Sequence, residues 1–139
     1  MGTLIPQLLC ITSAVSLIPI IAYTLKNEKK IEKNILAFFV FLCFIFSQLF
    51  WSNPIKYSLI HKLDKIVAKL TSFLCIFYVL FYKKLSTSVL FLYLLLGIFS
   101  IIAFYRSYYF SSKEWCCHEH IINHGLLHIS GLFFLLYAF

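Results

Sequence analysis

The residues best equipped for chemistry are imidazoles gathered near the end of the chain. Four of the five histidines fall between Cys116 and His128, and His120, His124 and His128 are spaced by four, which stacks them on one face of a helix. Earlier in the chain, His61, Asp64, Ala68, Thr71 and Cys75 follow helical steps along one face, while Lys62, Lys65 and Lys69 share a neighbouring one. Neutral imidazoles beside a carboxylate in apolar surroundings suit zinc. Two histidines four apart and a third from another helix supply three nitrogens, and a water in the open fourth position acquires a pKa near 7. The expected ligands are His61, His124 and His128, with Asp64 taking a proton from that water or orienting a ligand. Two other readings use the same residues. A buried hydrogen-bond network would fix helix packing or a homo-oligomer, and imidazoles from two helices would serve as axial ligands of a haem. His118 and His120 are expected at an interface, solvated. Glu119 belongs to no HExxH metalloprotease motif, since the second histidine is missing.

The elements that must position these groups are apolar helices. The sequence is 62% hydrophobic and 12% charged, about half the charge of a soluble domain. Its apolar runs have the length that crosses a bilayer. The expectation is therefore one domain over 1–139, an all-α polytopic integral membrane protein built as a five-transmembrane-helix bundle. The spans fall at about 4–25, 35–51, 62–82, 85–105 and 118–138. Pro19 bends the first span, and Asn53-Pro54 marks a turn. No basic segment precedes the first apolar run, so a retained helix is expected rather than a cleaved signal peptide.

The formal charge is +7, yet nucleic acid is not the expected partner. The lysines sit at the ends of apolar runs, where they meet lipid headgroups. Basic residues divide equally between the two sides, with Lys26, Lys29, Lys30, Lys33, Lys83 and Lys84 facing Lys56, Lys62, Lys65, Lys69, Arg106 and Lys113. The positive-inside rule thus gives a tie. Cys10, Cys43 and Cys75 read as small apolar residues within spans, and Cys116-Cys117 forms no zinc-knuckle or thioredoxin-type motif. No internal repeat is evident.

Parity supplies the link between chemistry and architecture. The end of span two, the start of span three and the start of span five share one side of the membrane, which brings Ser47 and Gln48, His61 and Asp64, and the histidine face together. His124 and His128 lie about 6 and 12 Å deeper than His120.

This pattern resembles the CREST superfamily of membrane hydrolases and receptors, which includes alkaline ceramidases, adiponectin-type receptors and hemolysin III proteins. The resemblance rests on His124-Gly125-Leu126-Leu127-His128 as the final HxxxH and on Asp64 within Leu63-Asp64-Lys65-Ile66. It implies zinc held by three histidines, hydrolysis of a lipid amide, and catalytic roles for Ser47 and Asp64. The segment Ser47-Gln48-Leu49-Phe50-Trp51 puts tryptophan where the third ligand belongs, so His61 is its expected substitute. The family has seven spans against five here.

Overall fold

A computed structural model describes residues 5–26 and 30–139. Leu4, which opens the first expected span, and residues 27–29 of the first expected loop lie outside the described residues. The fold is all-α: α1 (Leu8–Ala14), α2 (Leu17–Thr24), α3 (Ile31–Ser52), α4 (Leu59–Tyr82), α5 (Thr87–Lys113) and α6 (His118–Ala138). Four of these, α3 to α6, are long and apolar enough to cross a bilayer. The first apolar stretch is shorter and broken. Proline at 19 has no N–H to offer the carbonyl of Val15, which instead accepts from Ile18 N at 3.1 Å, and the chain turns between α1 and α2.

Helix ends differ from the sequence expectation where polar residues prolong a helix beyond its apolar run. Helix α3 begins at Ile31 with Glu32 in its first turn, and α5 continues to Lys113 through residues read as a loop. Acidic side chains favour a helix N-terminus and basic ones a C-terminus, which extends both elements into the polar flank.

The bundle consists of two helical hairpins, α3–α4 and α5–α6, with α1 and α2 seated against α3 and α6. Gly125 lies under Leu9, where a Cβ would stand at 3.6 Å. Helix α4 meets α6 at the centre, whereas α4 and α5 do not pack along one another. At one end, Tyr23, Leu36, Val40, Tyr78, Val79 and Leu135 form the larger core. Lysines close this end over the terminal carbonyls of α6: Lys33 Nζ donates to Phe139 O at 2.7 Å, Lys26 Nζ to the same oxygen at 3.5 Å, and Lys83 Nζ to Tyr137 O. Burial, followed by the positive charge of Lys33 and Lys26, lowers the pKa of Lys83. The opposite end is aromatic, built on Leu9, Phe50, Trp51 and Ile121 with Trp115 packed against them.

Candidate functional site

Two hairpin turns build the aromatic end, and they are local copies of each other. In the first, Ser58 N donates to Ile55 O at 3.3 Å; in the second, Cys117 N donates to Glu114 O at 3.4 Å. The third residue of each turn has positive φ, 66° at Tyr57 and 60° at Cys116, the two such non-glycine residues described. That conformation is costly for an L-residue with a side chain. A histidine three residues past each N-cap offsets the cost. His61 Nδ1 accepts from Tyr57 N at 2.9 Å, and His120 Nδ1 accepts from Cys116 N at 3.2 Å. Both rings are buried, with His61 4% and His120 3% exposed. Buried His120 corrects the expectation of a solvated interfacial residue; His118 is exposed as expected.

The second residue of each turn reaches into the other hairpin. Lys56 Nζ donates to Ser111 O at 2.8 Å, and Trp115 Nε1 donates to Pro54 O at 2.9 Å. Trp115 packs its ring against His61 at 5.2 Å and His120 at 4.9 Å, and His61 stacks on Phe50 at 4.5 Å. This cluster ties the hairpins together. Burial, then neighbouring Cys117, pushes the Cys116 thiol up to about 11, so it is neutral and unreactive near pH 7.

Beneath the turns lies a cavity of ≈ 750 Å³, lined from α1, α3, α4, α5 and α6. All five residues singled out by sequence, Ser47, His61, Asp64, His124 and His128, line it. Asp64 is 7% exposed and Ser47 4%. Among the described residues the Ser47 hydroxyl and the Trp51 indole N–H are buried without a hydrogen-bond partner, and the Asp64 carboxylate accepts no hydrogen bond but has the charge of Lys65 near it. Leaving such groups unpaired is expensive, so they mark the cavity wall as a place for a polar ligand group. His124 lies against Trp51 at 4.8 Å, with Nδ1 3.3 Å from Ser107 Oγ. His128 Nδ1 is 2.8 Å from Thr12 Oγ1, while the same hydroxyl is 3.2 Å from Leu9 O. A hydroxyl has one proton. When that proton goes to Leu9 O, the imidazole donates from Nδ1 and keeps a lone pair on Nε2.

The residues expected to hold zinc share the cavity without forming a ligand set. No three His, Cys, Asp or Glu side chains among the described residues are grouped to hold a metal ion. The physical reason is clearest at His61: a ring accepting a backbone N–H at Nδ1 carries its own proton on Nε2, leaving no lone pair for a metal. The same tautomer leaves no lone pair for a haem iron. Sequence spacing placed His61 on the correct face, but the turn before α4 claims its nitrogen.

Trp51, Trp115 and His120 carry weight that spacing alone did not reveal. The legible signal was a histidine three residues after a serine or cysteine in two segments fifty-nine residues apart, at Ser58 to His61 and Cys117 to His120. Fold and cavity together define an all-α bundle, compatible with a bilayer, arranged around a largely apolar chamber with a few polar side chains in its wall. No family model, curated protein or solved structure matches the chain.

Proposed function

We propose that this chain is an integral membrane protein that takes a membrane amphiphile into the cavity beside α4 and α5. Ser47, Trp51, His124 and His128 face the polar part of the ligand, and the apolar wall holds its chain. One observation carries this reading: a chamber lined from five helices contains a buried hydroxyl and a buried indole N–H, those of Ser47 and Trp51, that have no hydrogen-bond partner among the described residues. A buried polar group left without a partner is costly unless something else meets it. The missing packing between α4 and α5 supplies a lateral route of entry.

The test is a cavity-filling substitution. Gly97 lines the chamber, and a Cβ there would meet no atom within 4 Å. Gly97→Leu should therefore fold as well as the parent and lose the lipid that copurifies with it, measured by native mass spectrometry from detergent. Undiminished lipid in Gly97→Leu would sink the proposal.

A second reading, hydrolysis of the bound lipid, is favoured by the His128 to Thr12 contact, which leaves Nε2 free to accept a proton from water. Here Asp64 and Ser47 orient the polar group, and no step is assigned to zinc because the ligand set does not assemble. His128→Ala should then abolish release of fatty acid from a lipid amide while leaving lipid copurification intact. Equal loss of both would reduce His128 to a binding residue.

A further inference from the structure

Lys65 and Lys69 stand one turn apart on α4, both exposed and both lining the cavity. Lys62, the third lysine of this helix, is also exposed but is not part of the lining. Among the described residues neither Lys65 nor Lys69 makes a hydrogen bond or ion pair, although the Asp64 carboxylate attracts Lys65, whereas Lys56 at the same end is committed to Ser111 O. Asp64, beside Lys65 in sequence, is buried, and it sits about 140° around the helix from Lys69. Across the chamber, α5 offers Tyr108 and Ser111, and neither carries charge.

Depth makes the lysines informative. Helix α4 has 24 residues, about 36 Å of helix against a hydrocarbon core of about 30 Å. Lys69 comes ten residues after Leu59, about 15 Å along the axis from the start of the helix. A lysine that only met headgroups from the helix end would sit nearer that end. Two ammonium groups line this chamber against one carboxylate, Asp64, so positive charge is in excess there and favours a further anion.

We infer that the amphiphile carries a phosphate monoester, seated between Lys65 and Lys69 inside the opening between α4 and α5. The inference rests on the lipid-binding reading above and assigns its headgroup. A phosphate monoester carries a charge of about −1.5 to −2 at neutral pH, with three acceptor oxygens. That matches two point-charge donors, whereas a zwitterionic headgroup brings its own cation and a fatty acid brings a single charge. The acyl chain then runs down the chamber past Ile76, Gly97 and Ile101.

The experiment uses the full chain in nanodiscs of phosphatidylcholine alone, with phosphatidic acid, or with oleate, and counts retained lipid by native mass spectrometry. Phosphatidic acid should be retained over phosphatidylcholine. Lys65→Gln and Lys69→Gln should each lower that retention about tenfold, and Lys62→Gln should leave it unchanged. Equal loss in Lys62→Gln would reduce the effect to general surface charge and overturn the assignment. So would preference for oleate, or displacement of the lipid by inorganic phosphate. If Gly97→Leu empties the chamber while both lysine variants bind normally, the headgroup assignment fails and the cavity reading stands. If Gly97→Leu retains the phosphatidic acid, the cavity reading itself fails.

Discussion

The α3–α4 and α5–α6 hairpins are the same device put to two uses. Each makes a turn with positive φ at its third residue, each steadies that residue with a histidine ring, and each sends one side chain across to its neighbour. The difference comes one turn further on. Asn123 of α6 is buried and satisfied, its Nδ2 donating to Glu119 O at 2.7 Å. Asp64, in the matching place on α4, is equally buried but lines the cavity and makes no hydrogen bond among the described residues. One position needs only a neutral amide that closes on its own helix; the other keeps a carboxylate open to the chamber. The contrast teaches that Asp64 is not required by the turn it follows.

The comparison can be broken most severely where the hairpins join. Trp115→Ala removes the Pro54 hydrogen bond and the ring that packs on both histidines. It should cost about 3–4 kcal/mol by denaturant titration in detergent, and a cost below 1 kcal/mol would show that the hairpins stand independently. Next come the two matched positions. Asn123→Asp should destabilise by about 2–3 kcal/mol, since it deprives Glu119 O of its donor and buries a charge. Asp64→Asn should hold or raise stability; matching losses in both variants would erase the distinction.

Smaller effects test the likeness itself. His61→Ala and His120→Ala each free one backbone N–H and should each cost about 1–2 kcal/mol. Unequal costs, with one near zero, would mean that only one ring supports its turn. Smallest of all, Tyr57→Gly and Cys116→Gly relax a positive φ and should each raise stability by up to about 1 kcal/mol. A loss at either would show that the side chain earns its place by contacts.

Much of the architecture was legible in the sequence because apolar length and charge position fix a helix in a bilayer-like bundle. His61, Asp64, Thr71 and Cys75 are buried on the face that their spacing defined, and Lys62, Lys65 and Lys69 are exposed on the other. Parity also gathered Ser47, Asp64 and the histidines into one chamber. Spacing could not tell which ring nitrogen each histidine would have left. That depends on backbone N–H groups in turns whose strain at Tyr57 and Cys116 no residue type announces, since glycine would be the usual sign. The likeness of the hairpins was hidden for a related reason. The matched places are filled by Tyr57 and Cys116, Ser58 and Cys117, Asp64 and Asn123, so geometry repeats while side chains mostly do not.

The lysines at the far end of α6 also shape the electric potential inside the bundle. A helix carries about half a positive charge at its N-terminus and half a negative charge at its C-terminus. Lys26, Lys33 and Lys83 sit on the C-terminal carbonyls of α6 and cancel the negative pole. What remains is the positive pole near His120, beside the chamber. At that pole Glu119 of the first turn opposes the partial charge, so α6 has both of its ends countered by side chains of opposite sign.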